Sequence, residues 1–380
     1  MATFGDVLAR ALFLKETGPS EDSLKMIRFL LIHRRWGSSV AIAGLPATTV
    51  ILFALLPVQA KRTVVPEKDI PSTLIEQLAR LDLLGLGELH GSGADQELRI
   101  KIIHHKDFAR KVHNVVMEGL NSLHQEDLDR YVRGEDVAKE RMQRVWRDST
   151  QIFASPAMLT AYEQFLKEVR LVNQSLPDDL KIRVIGADPP IDWVKVKTRE
   201  DFVPVLRNRV DFGAEVIARE VLRKQKKALL VFGMGHFTRN QQMKTPSGFV
   251  PLIPTIGWLI DKDFPGRLYV VTPSRGGVYP DTSKLESLIG ASALPVLLRL
   301  KGTAFGALNP NEFIPAHPSI LLGAPEPPFH PFPDGIGMAD VADALIYRGR
   351  TVDALVLPDP SYAADTAYAT ELRRRRRLAP

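Results

Sequence analysis

The chain has 380 residues, 45% of them hydrophobic and 25% charged, which is the balance of a globular protein with one large or two ordinary domains. Its net charge of +6 comes from arginines near the amino terminus and at residues 373–377, so the body is close to neutral and a nucleic-acid partner is not indicated. There is no cysteine, which excludes disulfides, zinc–thiolate sites and thiol nucleophiles.

Residues 1–60 are predicted to form an amino-terminal extension that precedes the fold. A basic patch from Met26 to Trp36 is followed by an apolar stretch at 38–57 and by Val58-Gln59-Ala60, small residues of the kind that precede a signal-peptidase cleavage site. Cleavage after Ala60 and export to the periplasm or the exterior is the first interpretation. The alternative is an uncleaved membrane anchor, because the apolar stretch approaches the ~20 residues that span a bilayer.

Four short apolar runs follow, each ending beside glycine in a polar or charged residue. They occupy residues 83–87, 112–117, 182–186 and 228–233. Short apolar runs separated by long amphipathic stretches are typical of buried parallel strands. We therefore predict a single α/β domain over residues 61–365, with a mostly parallel sheet flanked by helices.

Two further segments have a recognisable pattern. Residues 125–176 carry apolar positions at helical spacing and are predicted to form a helical cap insertion beside the sheet. Residues 366–380 contain the run of five arginines and are predicted to be a solvated basic tail. Contact of this tail with an anionic surface is the alternative.

Polar side chains follow all four runs, and they include Glu88, His90, Glu118, Asp188 and His236. Because the carboxyl ends of parallel strands line one crevice, we expect these side chains to meet there. In an extended backbone Glu88 and His90 point to the same side, where they can form an acid–base pair or two metal ligands. The alternative is structural: Glu88 caps the next helix and His90 bonds to the backbone.

The other three residues also have structural interpretations. A buried Glu118 requires a partner, for which His90, His236, Arg239 or a cation are candidates. His236 alone would more often be a satisfied buried residue, and Asp188, followed by two prolines, is a candidate turn acceptor. If a metal is bound, the ligand set is drawn from these five residues, and oxygen and nitrogen ligands without thiolate suit zinc, manganese or iron.

Three motifs resemble a known superfamily, the one that joins erythromycin esterase-like enzymes, ChaN-like haem-binding uptake proteins and Tiki proteases. They are Gly87-Glu88-Leu89-His90-Gly91, Val115-Val116-Met117-Glu118 and Phe232-Gly233-Met234-Gly235-His236. The resemblance implies an α/β core whose polar crevice carries Glu88, His90, Glu118 and His236. One residue separates the glutamate and histidine of the first motif, which is closer to the ChaN-like form than to the esterase form.

Three functions remain open on the sequence alone. The first is an exported hydrolase that activates water for a small-molecule or peptide substrate, with or without a metal. The second is a haem- or iron-binding envelope protein, for which Tyr131, Tyr162 and the helical cap are candidate haem-binding elements. The third is a non-catalytic envelope protein, and in each case residues 38–57 are a candidate for membrane attachment.

Overall fold

One eight-stranded sheet organises the part of the chain that the computed structural model describes, which is residues 63–245, 248–252, 254–274, 282–313, 332–350 and 353–379. Across the sheet the strands are β1 (Val64–Pro66), β9 (Val296–Arg299), β10 (Ala344–Tyr347), β8 (Leu268–Pro273), β2 (Leu83–Glu88), β5 (Lys227–Gly233), β3 (His113–Asn121) and β4 (Arg183–Asp188). The strands from β10 to β4 are parallel, and β9 is antiparallel to both of its neighbours. The predicted fold class, a mostly parallel α/β sheet, is confirmed.

Helices cover both faces of this sheet. They are α1 (Ile70–Arg80), α2 (Gly93–His104), α3 (Phe108–Lys111), α4 (Gln125–Arg133), α5 (Lys139–Arg147), α6 (Pro156–Gln174), α7 (Arg199–Arg207), α8 (Arg209–Ile217), α9 (Ile256–Asp263), α10 (Ser283–Ile289), α11 (Pro310–Phe313), α12 (Met338–Val341), α13 (Pro360–Ala364) and α14 (Thr366–Arg376). A separate antiparallel pair, β6 (Gln242–Thr245) and β7 (Gly248–Pro251), follows β5.

The central strands are buried on both faces, which explains their continuous apolar sequences. All six positions of β2 are buried, and β5 is buried from its second residue onward. Alternate residues of each strand enter two separate cores, as the two-residue period of a strand requires. Leu84 and Leu86 pack into one core with the helices of the insertion, whereas Leu83 packs into the other with α8 and α9.

The predicted helical insertion lies between β3 and β4 and consists of α4, α5 and α6. Trp146 of α5 and Tyr162 and Phe165 of α6 are almost fully buried and join the core on one face of the sheet. Ser155 caps α6 by accepting a hydrogen bond from the Met158 amide, which fixes where that helix begins. The loop between α5 and α6, residues 148–155, lies at the carboxyl ends of β3 and β4, because the Thr150 amide donates to Asp188 and the side-chain amide of Asn121 donates to the Asp148 carbonyl.

The predicted targeting segment, residues 1–60, lies outside the described residues, so export and membrane attachment stay predictions. Across the described ranges, no helix has both the length and the apolar character needed to span a bilayer.

The run of arginines at 373–377 is not wholly solvated, which corrects the sequence-based expectation in part. Arg373, Arg376 and Arg377 are exposed, but the first four arginines lie on α14 and Arg375 is only 4% exposed. Its guanidinium donates to the Arg147 carbonyl and the Asp148 carboxylate, each at 2.7 Å, and lies 4.5 Å from the centre of the Trp193 ring. Arg376 donates to the Ile152 carbonyl at 2.8 Å. An arginine buries its stem and stacks its planar head on aromatic rings, so a run of arginines does not by itself indicate exposure.

Substitution of Arg375 tests this packing. We expect Arg375→Met to lower the free energy of unfolding by about 2 kcal/mol, because hydrogen bonds to a charged group contribute about 1.5–3 kcal/mol. Arg373 is exposed on the same helix and donates to the Thr370 hydroxyl, so Arg373→Met is the matched control. We expect Arg373→Met to change the free energy of unfolding by less than about 0.5 kcal/mol. Equal effects of the two variants in urea denaturation would show that the helix does not depend on Arg375.

Candidate active site

The structure brings all five predicted site residues together at one edge of the sheet. Glu88 ends β2, Asp188 ends β4, Glu118 lies near the end of β3, and His236 follows β5 in a short 3₁₀ turn. Because β2, β5, β3 and β4 are parallel neighbours, their carboxyl ends meet. The side chain of His90 is 14% exposed, and those of the other four are between 1% and 6% exposed.

The loop after β2 is fixed by its own hydrogen bonds rather than by Glu88. The Ser92 hydroxyl caps α2 by accepting from the Asp95 amide at 3.2 Å. The Asp95 carboxylate accepts from the Leu89 amide at 2.7 Å, and Gly91 adopts a φ of 82°. Glu88 is therefore not needed as a helix cap, and its carboxylate is available to the crevice.

Glu88 connects the histidine of the loop to an arginine of α2. Its Oε1 accepts a hydrogen bond from Nδ1 of His90 at 2.8 Å, and its Oε2 accepts from Nη1 of Arg99. Burial alone would raise the pKa of Glu88, but the charge of Arg99 and the bond from His90 outweigh burial and hold that pKa below its usual value. Glu88 is thus an anion that orients the imidazole.

The second ring nitrogen of His90 has no hydrogen-bond partner in the part of the chain that the structure describes. It is buried, and it lies 3.9 Å from Oε2 of Glu118. Since a carboxylate can only accept, Nδ1 must carry the proton that is donated to Glu88. In the neutral ring Nε2 therefore keeps its lone pair, which is the arrangement of a histidine base oriented by a carboxylate.

Glu118 is the centre of the network. Its Oε1 accepts from Nη2 of Arg209 at 2.7 Å and from Nε2 of His236 at 3.1 Å, and its Oε2 accepts from the Gly233 amide at 2.7 Å. Burial acts to raise the pKa of Glu118, but the histidines and Arg209 outweigh it and hold that pKa well below its usual value. Arg209, on α8, neutralises Glu118, whereas Arg239 is occupied elsewhere.

Asp188 occupies the far side of the same guanidinium. Its two oxygens accept from the backbone amide of Thr150 at 2.7 Å and from the Thr150 hydroxyl at 2.6 Å, and Nε of Arg209 lies 3.5 Å away. Burial raises its pKa to about 6, against the lowering effects of Arg209 and Thr150. Asp188 therefore anchors the α5–α6 loop to the end of β4, and it changes charge near neutral pH.

This raised pKa predicts a specific pH dependence of stability. A carboxyl whose pKa is higher in the folded state binds its proton more tightly there, so stability falls as pH rises through the window between the two pKa values. With values of 3.8 and about 6, the loss amounts to about 3 kcal/mol at 1.36 kcal/mol per pKa unit. We expect wild type to lose this stability between pH 4 and 7 relative to Asp188→Asn, measured by urea denaturation. Parallel curves for the two proteins would contradict the assignment.

Four residues of the site were not foreseen from the sequence: Arg99, Arg209, Thr150 and Gln151. The two arginines are 2% and 5% exposed. A signal for them existed in the charge balance, because three carboxylates converging in a buried crevice need cations nearby. Arg239, considered as the partner of Glu118, instead bonds Asp261 and Asp343.

The two tyrosines considered for haem binding occupy different places. Tyr162 lies beside the crevice but is 1% exposed, and its hydroxyl donates to Oε1 of Gln151 at 3.0 Å. Burial, followed by the charges of Glu88 and Glu118, raises its pKa well above the usual value. The guanidinium carbon of Arg170 lies 4.8 Å from the centre of the Tyr131 ring. The Tyr162 hydroxyl is therefore engaged inside the protein, and a haem-binding role of the two tyrosines stays a prediction.

The donors of the crevice do not fit a divalent metal as they are arranged. Each oxygen of Glu88, Glu118 and Asp188 already accepts from an N–H or O–H group. Two guanidinium groups lie among these carboxylates and supply the positive charge that a metal would bring. Within the described residues, no group of three or more His, Cys, Asp or Glu side chains has an arrangement that could hold a metal ion.

Comparison with known proteins finds a similar fold among solved structures. No family model and no curated protein sequence matches the chain. A solved structure of a succinoglycan biosynthesis protein superposes with a TM-score of 0.50 at 10% identity, over 77% of this chain and 95% of that one. An erythromycin esterase mutant, EreC in its open conformation, gives 0.49 at 12% identity over 76% and 95%. The haem-binding ChaN of Campylobacter jejuni gives 0.32 at 14% identity over 55% and 87%. The match at a TM-score of 0.50 supports the α/β fold and concerns the fold alone.

Proposed function

We propose that the chain is a metal-independent hydrolase in which His90 activates water for attack on a carboxylic ester. The observation that carries this proposal is the imidazole of His90, which is fixed through Nδ1 by Glu88 and has an unpartnered Nε2 facing Glu118. A neutral imidazole with a free lone pair is the side chain most often used as a general base. Glu88, kept ionised by Arg99, stabilises the imidazolium that forms.

The proposed hydrolysis uses only His90 and water for its proton transfers. Nε2 of His90 accepts a proton from water while the water oxygen bonds to the ester carbonyl carbon. The tetrahedral intermediate then collapses, the carbon–oxygen bond to the leaving group breaks, and the imidazolium returns the proton to the departing alkoxide. Arg209 and His236, both bonded to Glu118, keep that carboxylate from taking the proton in place of His90.

An ester panel with purified protein tests the proposal. After treatment with a chelator and removal of residual metal, verified by elemental analysis, we expect hydrolysis of at least one class of carboxylic ester at an unchanged rate. Loss of the activity on chelation, with recovery on adding zinc or manganese, would contradict the metal-independent mechanism. Absence of any hydrolysis would contradict the function.

Haem binding is the rival function and has a direct test. Since the Tyr162 hydroxyl is buried and bonded to Gln151, we expect stoichiometric hemin to give no new Soret maximum with the purified protein. A shifted Soret band that is lost in His90→Gln would favour the haem-binding interpretation.

We also propose that the protein is exported. The basic patch, the apolar stretch at 38–57 and the small residues before Ala60 support export with cleavage after Ala60. The mass of the protein recovered from an expressing bacterium tests this, because cleavage leaves Lys61 as the first residue.

A further inference from the structure

A second unpartnered polar atom belongs to the side chain of Gln151. Six buried side-chain nitrogen or oxygen atoms of the described residues lack a hydrogen-bond partner, and they include Nε2 of His90 and Nε2 of Gln151. Nε2 of His90 faces Glu118. The side chain of Gln151 lies against Gly119, the residue that follows Glu118 in the chain. Leaving a buried amide unpaired costs about 1–3 kcal/mol, so an unpartnered donor on a side chain held against the residue after Glu118 points to a bound ligand.

The chain makes room for the Gln151 amide at Gly119. A Cβ atom at that position would lie 2.5 Å from Oε1 of Gln151 and 2.9 Å from the Tyr162 hydroxyl. Gly119 has a φ of 75°, a left-handed conformation that favours glycine. The absence of a side chain therefore places the amide directly against the backbone that carries Glu118.

The amide is also held in a fixed orientation. Its Oε1 accepts from the Tyr162 hydroxyl at 3.0 Å, which leaves Nε2 as the end without a partner. The raised pKa of Tyr162 keeps that hydroxyl protonated and able to donate. The neighbouring Thr150 is bonded to Asp188 through both its amide and its hydroxyl. A donor on so constrained a loop is preorganised, as stabilisation of a developing charge requires.

We propose that Nε2 of Gln151 donates a hydrogen bond to the carbonyl oxygen of the ester substrate and stabilises the oxyanion that forms when water attacks. This rests on the proposed hydrolase function and assigns the electrophilic half of the same site. No proton is transferred from Gln151. The negative charge that develops on the carbonyl oxygen is held by the N–H group while His90 holds the proton from water.

Two substitutions that remove the donor test the assignment. Gln151→Met has a similar shape and no N–H group, and Gln151→Glu keeps an oxygen for the Tyr162 hydroxyl but cannot donate when ionised. Loss of one oxyanion donor lowers kcat about 10²–10³-fold, and we expect this loss in both variants with KM changed less than about threefold. Thermal unfolding of each variant establishes that it is folded.

A tetrahedral phosphonate analogue of the substrate separates a catalytic contact from a structural role. If Gln151 contacts the oxyanion, the affinity for the analogue falls by about the same factor as kcat/KM, because both measure binding of the transition state. Unchanged kcat in both folded variants, with His90→Gln inactive, would overturn the role of Gln151 and leave the hydrolase function intact. Full activity of His90→Gln, or no esterase activity in wild type, would overturn both.

Discussion

Replacing His90 with glutamine is expected to lower kcat for ester hydrolysis by about 10³-fold, within the range that a general base contributes. Glutamine retains an N–H group that can reach Glu88 but has no lone pair of comparable basicity to accept a proton from water. Steady-state kinetics with the wild type and the variant measure this effect.

His104→Gln is the matched control for this substitution. His104 is the last residue of α2, the helix that follows the loop of His90. Its Nε2 contacts the carboxylate of Glu168 at 2.8 Å, so these two residues also form a histidine–glutamate pair. Its side chain is 41% exposed and remote from the crevice. We expect kcat to remain within about twofold of wild type, since exposed pairs contribute little. Comparable losses in both variants would show that the effect of His90 is not catalytic.

Replacing Arg209 with methionine is expected to lower the free energy of unfolding by about 3–5 kcal/mol, the range for removing one partner of a buried ion pair. Glu118 and Asp188 are 4% and 2% exposed, and both would lose the guanidinium that lies between them. Their pKa values would rise in the folded variant, so its stability should fall as pH increases. Urea denaturation at pH 5 and pH 8 should therefore show the larger loss at pH 8.

Arg223→Met provides the comparison for Arg209. Arg223 pairs with Glu215 at 2.7 Å, but the two side chains are 57% and 48% exposed. An exposed pair contributes about 0–1 kcal/mol, so we expect a small change that is equal at both pH values. If Arg209→Met behaved like Arg223→Met, the buried network would not depend on its central cation.

The convergence of the site could be predicted because it follows from the strands alone. Glu88, Glu118 and Asp188 each lie at or near the end of a buried apolar run, and parallel strands align such ends whatever connects them. The helical insertion was likewise visible in its periodicity. These predictions needed only local patterns and one rule about parallel sheets.

The cations of the site could not be placed by the same reasoning. Arg99 and Arg209 lie on helices with charged residues on several sides, and nothing in a helical pattern separates a buried arginine from an exposed one. Gln151 lies in a loop with no periodicity. Its role depends on Gly119 and Tyr162, which the fold brings together from separate elements. The same limitation made α14 look like a solvated tail.

The packing of α14 has a consequence for the order in which the molecule matures during translation. The loop that carries Thr150 and Gln151 is braced by Arg375 and Arg376, more than 220 positions later in the chain. Until residues 375 and 376 have been translated and have left the ribosome, the nascent polypeptide lacks this brace. The loop therefore reaches its final packing only after α14 has been synthesised, long after the strands β3 and β4 that it adjoins.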